Sequence, residues 1–154
     1  MKRLLILASL IFIFSAIGAV NAQSRKSVSA AEVNGTFRSY FSGKFKGSYN
    51  EIKILALGKG KLRVSFELVY PFIDGTGEES ANLGTADGTA TIEGDTAIYS
   101  SDEYGQCRIT IKFTKPGRIE ITQSSVDSEC GFGHNVTANG TYKKTSSAKP
   151  EFEQ

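Results

Sequence analysis

Alternation with a period of two runs through most of the chain between Asn34 and Lys144, and it leaves little choice of fold. In KLRVSFELVY, Leu62, Val64, Phe66, Leu68 and Tyr70 share one face, with Arg63, Ser65 and Glu67 on the other. CRITIKF sets Cys107, Ile109, Ile111 and Phe113 against Arg108, Thr110 and Lys112, and RIEITQ sets Ile119 and Ile121 against Arg118, Glu120 and Thr122. TATIEGDTAIY supplies Ala90 and Ile92, a turn at Glu93-Gly94-Asp95, then Ala97 and Tyr99. Successive side chains of a strand point to opposite faces, so each stretch reads as a strand with one dry and one wet side. No stretch of the core keeps a helical apolar stripe over a useful length.

GKGK (58–61), EGD (93–95) and TKPG (114–117) each separate two strand-like runs by a few turn residues, the punctuation of hairpins. The expectation is an all-β fold: a single small antiparallel up-and-down barrel of about eight strands, with a β-sandwich as the alternative. NGTF (34–37) opens the core and NGTY (139–142) closes it, which favours the barrel, because pairing first and last strands removes exposed edges. Phe66, Leu68, Tyr70, Ile92, Tyr99, Ile109, Ile111, Phe113, Ile119, Ile121, Val136 and Tyr142 are then expected to point inward. An eight-stranded barrel is just wide enough to be filled by side chains of this size. The longest irregular stretch, PFIDGTGEESANLGTADG (71–88), is expected to be a solvated loop over one barrel end.

The N-terminus begins MKRLLILASLIFIFSAIGAVNAQS, with a positive start at Lys2 and Arg3, an apolar run from Leu4 to Val20, and small residues before Ala22. That is the layout of a secretory signal peptide over residues 1–22, so the mature chain is expected to be secreted or periplasmic and off the membrane. Residues 23–33 and 145–154 are polar and aperiodic, expected as a disordered linker and tail around a barrel domain over 34–144. Losing Lys2 and Arg3 takes Lys plus Arg from 18 to 16, equal to the 16 Asp plus Glu. A neutral chain has no electrostatic pull on nucleic acid, so none is expected as a partner.

The two cysteines of such a chain most simply pair, Cys107 with Cys130. Cys107 starts a strand and Cys130 lies beyond the open end of the hairpin that follows, within plausible bridging reach. The rival, Cys130 as a nucleophile beside His134, needs a free thiolate. In CGFGHNV (130–136) the glycines serve a tight corner, and Phe132 either caps the barrel end or stands out as an aromatic anchor. His134, the chain's one histidine, is too few ligands for a transition-metal site and is expected on the surface. Asp74, Glu78 and Glu79 do not follow calcium-loop spacing. No cofactor or metal is expected. The carboxylates of Glu67, Glu93, Glu120, Asp102, Glu103, Asp127 and Glu129 lie on wet faces or in loops, without the apolar setting that tunes a catalytic acid, so no enzyme activity is expected. Sequons at Asn34, Asn135 and Asn139 are glycan acceptors only in a eukaryotic secretory route, and turn chemistry otherwise.

GTATIEGDTAIY, QCRITIKF and CGFGHNVTANGTYKK together resemble a largely uncharacterised group of small exported bacterial β-domains. Its members share C-x-I/L-x-I/L-x-F, a hydrophobic hairpin and CGFG-x-N-V-x-A-x-G-x-Y; the resemblance covers about residues 35–144 and is strongest after Gly88. It implies the compartment, the disulfide and the all-β fold. Some members look lysozyme-inhibitor-like, which implies an inhibitor of a cell-wall-degrading enzyme; no inhibitory loop motif maps onto this chain. The expected function is therefore a monomeric, non-enzymatic binding module for an extracellular or periplasmic protein, with Tyr104, Phe132, His134 and the 71–88 stretch as its surface. The alternative is a lipocalin-like carrier of a small apolar ligand, which needs an axial cavity of roughly 300 Å³ or more.

Overall fold

The computed structural model describes residues 27–152. The expected signal peptide lies outside them, as do residues 23–26 of the linker and 153–154 of the tail. Eight strands follow in chain order: β1 (Gly35–Tyr40), β2 (Tyr49–Gly58), β3 (Lys61–Ile73), β4 (Glu79–Glu93), β5 (Thr96–Ser101), β6 (Cys107–Lys115), β7 (Arg118–Gln123) and β8 (Gly140–Ser146). Each pairs antiparallel with the next, and β8 returns to β1 through Phe37↔Lys144 and Arg38↔Lys143. The fold is the closed up-and-down barrel rather than the sandwich. Its tight hairpins sit at one rim; at β2–β3, Lys59 (φ 50°) and Gly60 (φ 68°) are both left-handed, the backbone a two-residue turn between twisted strands requires.

The alternating pattern becomes a filled interior. Phe37, Phe66, Tyr99, Phe113 and Tyr142 interdigitate with Ile52, Ile54, Ile109, Ile111 and Ile119, none more than 4% exposed. Outside, charges pair across strands: Arg38 and Lys53 with Glu51, Lys53 with Glu67, and Arg63 with Asp87.

Two expectations about the β3–β4 region are corrected. The stretch 71–88 is mostly strand, paired from Val64↔Gly88 through Pro71↔Ala81 to Ile73↔Glu79, so the turn is confined to residues 74–78. Pairing along an apolar neighbour outweighs the weak strand propensity of Ser, Ala, Asn and Gly. Tyr70 points out, 39% exposed, because this hairpin overshoots the rim: β2 pairs with β3 only as far as Glu51↔Glu67. Asp74 braces the tip, accepting from the Thr76 hydroxyl and the amides of Thr76 and Glu78. Those bonds, led by the hydroxyl, hold its carboxyl below the ordinary range.

The polar ends are more ordered than expected. Ala30–Val33 form a helical turn, α1, with a reciprocal capping box between Ser29 and Glu32. Lys144 Nζ donates to the carbonyls of Ala31, Glu32 and Asn34 at 2.8–2.9 Å, satisfying acceptors the short helix cannot. Val33 is thereby held in the core, 2% exposed. At the other terminus β8 extends to Ser146, Pro150 is buried, and the Phe152 ring lies 5.4 Å from the Arg63 guanidinium. Beyond the local capping box, both departures rest on long-range contacts that local composition does not encode.

Candidate functional site: a cleft in the β4–β5 seam

The far rim is closed by the β7–β8 connection. It carries a 3₁₀ turn over Asp127–Cys130, and Phe132, Val136 and Ala138 drop from it into the core. The Cys107–Cys130 disulfide fastens this segment to the start of β6. Gly84 of β4 makes room for it: a Cβ there would stand 2.8 Å from both Phe132 Cδ1 and Val136 Cγ1. The Gly133 amide donates to the Leu83 carbonyl (2.9 Å), and Asn82 Nδ2 donates to the His134 carbonyl (2.7 Å).

That plug exists because the β4–β5 seam is incomplete. β4 runs from Glu79 to Glu93, but only Ala90 to Glu93 find partners on β5. Beyond Ala90↔Tyr99 the strands part, and Tyr99 is the wedge. Its ring leans on Gly88, where a Cβ would lie 3.1 Å from Tyr99 Cε2, and packs against Phe66 at a centroid distance of 5.4 Å. Its hydroxyl donates to the Asp87 carbonyl at 3.3 Å, and burial pushes the phenol's pKa up.

Between wedge and plug lies a cleft of about 280 Å³, lined by Ser65, Phe66, Glu67, Thr85, Ala86, Asp87, Tyr99, Ser101, Glu103, Tyr104 and Cys130. Tyr104 forms one lip. It is 65% exposed, and its ring rests where a Cβ on Gly131 would stand, 2.5 Å from Tyr104 Cδ2. A hydrogen bond to Glu103, and the charge of that carboxylate, hold the Tyr104 phenol above its usual range. Glu67 and Thr85 also border a shallow concavity of about 430 Å³ on the outer face, where Tyr49, Val69, Pro71 and Leu83 offer apolar surface. Cleft and shelf are contiguous.

Of the three residues expected to form a recognition surface, the structure brings only Tyr104 to the cleft. Phe132 is 6% exposed and is the core of the plug, so the capping alternative describes it and the anchor does not. His134 is exposed but is not among the cleft's lining residues. The stretch 71–88 does meet the CGFGHNV corner, through Asn82 and Leu83, but as a strand. Thr85 and Asp87 fall within the 71–88 stretch expected at the recognition surface, whereas Tyr99, Ser101 and Glu103 carry no such expectation; the hint for Glu103 is its place next to Tyr104, between two strands. Among the described residues no group of three His, Cys, Asp or Glu side chains is arranged to hold a metal ion, and no helix is long and apolar enough to cross a membrane.

Comparison with protein-family models, with curated proteins and with solved structures finds no match.

Proposed function

We propose that the protein is an exported, non-enzymatic binding module that engages a protein partner through the seam cleft and the adjoining shelf. One observation carries this reading: a barrel packed to its axis opens on one wall, beside its disulfide, into a polar cleft flanked by exposed Tyr104, Tyr49 and Leu83. A site that is rigid before binding loses little freedom on association, and tyrosines supply contact area at low entropic cost. The disulfide suits an oxidising compartment. The filled interior speaks against a carrier of small apolar ligands, since the axis is taken by the protein's own rings.

The sequence resemblance supplies the partner class, a cell-wall-degrading enzyme such as lysozyme. The test is a wall-lysis assay with the mature chain titrated in, alongside calorimetric titration of the same enzyme. Stoichiometric inhibition is expected, with Tyr104→Ala weakening it about tenfold or more, the cost of truncating an interface tyrosine. Inhibition left unchanged by Tyr104→Ala and Glu103→Gln would move the contact off the cleft.

A further inference from the structure

The cleft has a feature that specifies what enters it. Backbone groups of a strand point alternately to its two neighbours, and on β4 the assignment is clear. The Ile92 amide donates to the Gly60 carbonyl at the β3 side, so even-numbered positions serve β3. The odd-numbered ones face the seam, as the occupied carbonyls of Leu83 (from Gly133) and Asp87 (from Tyr99) demonstrate. Thr85 lies between them. Among the described residues nothing pairs with its N–H or its C=O, and both point into the cleft. From Leu83 to Asp87 the edge runs roughly 13 Å, room for about three residues of extended chain. An unpaired strand edge is a template for added backbone, and a cleft wall is where such an edge can be read without inviting aggregation.

Charge narrows the choice further. Glu67 is paired with Lys53, and Asp87 with Arg63. Glu103 has no cationic partner among the described residues. The walls beside it are the rings of Phe66, Tyr99 and Tyr104, which suit the methylene stem of a long basic side chain.

We infer that the cleft takes an extended segment of a partner polypeptide, which adds to β4 at Thr85 and sets a lysine or arginine against Glu103. This rests on the binding-module reading and names the chemistry recognised.

The experiment titrates ¹⁵N-labelled mature protein with the capped peptides acetyl-Ala-Lys-Ala-amide and acetyl-Ala-Glu-Ala-amide, followed by amide chemical shifts. Saturable shifts are expected at Thr85, Asp87 and Ser101 to Tyr104, with the lysine peptide binding about tenfold tighter. Thr85→Pro removes an N–H that the β3–β4 ladder does not use, so the spectrum should stay folded while the peptide shifts vanish. Glu103→Gln, a surface change, should abolish the preference for lysine over glutamate. Absence of saturable shifts at these amides, or shifts that persist unchanged in a folded Thr85→Pro, overturns the inference. If an enzyme partner binds in a Tyr104-dependent manner while the peptides leave Thr85 untouched, the binding-module reading stands and strand addition falls.

Discussion

The hydroxyl of Tyr99 donates to the carbonyl of Asp87 at 3.3 Å, across a seam where β5 offers β4 no backbone partner. A side chain here does the work of a ladder bond. Tyr99→Phe keeps the wedge and removes that bond, so urea unfolding should register a loss of about 1 kcal/mol. Tyr99→Ala also empties the space between Phe66 and Gly88 and should cost about 3–5 kcal/mol.

Gly84 and Phe132 make a second, steric relationship. Gly84→Ala brings a Cβ to 2.8 Å from the Phe132 ring and should destabilise by about 1–3 kcal/mol, as overpacking does. Phe132→Ala should cost about 3–5 kcal/mol through the cavity it leaves. Thermal or urea unfolding reads both, and a neutral Phe132→Ala would contradict its place in the plug.

The Cys107–Cys130 bridge closes a loop with a sequence separation of 23. Replacing both cysteines with serine should lower stability by roughly 3 kcal/mol in the chain-entropy model. The denatured, unreduced protein should show no thiol to a chromogenic reagent, and two after reduction.

Burial pushes the Tyr142 phenol well above its ordinary value of 10.0, and Tyr99 moves the same way for the same reason. A phenol that holds its proton more tightly folded than unfolded gives stability that is full below about pH 10 and is lost as pH rises toward the folded value. Spectrophotometric titration should therefore show Tyr99 and Tyr142 ionising late, with unfolding as they ionise.

Much of this architecture was legible in the residues. The alternation of Leu62 to Leu68 and of Cys107 to Phe113 appears as buried and exposed faces, and β1 and β8, the strands that NGTF and NGTY lead into, pair to close the barrel. The cysteine pairing followed from compartment and hairpin geometry. The site was not legible, because it arises where a pattern stops. Nothing in TATIEGDTAIY announces that β5 ends at Ser101 while β4 continues for a further run of residues toward Glu79. Gly84 and Gly88 fall in the stretch expected to be a loop and are instead space for Phe132 and Tyr99. α1 is a single turn, and beyond its own capping box it depends on Lys144, far along the chain, to satisfy its carbonyls.

Amide-resolved hydrogen exchange on the free protein tests the seam most directly. Ala86, whose position serves β3, should be strongly protected, while Thr85 beside it exchanges near the rate of an exposed amide, giving a sharp alternation at the centre of a long strand. Equal protection at Thr85 and Ala86 would mean that β4 is paired on both sides, with no open edge for a partner to use.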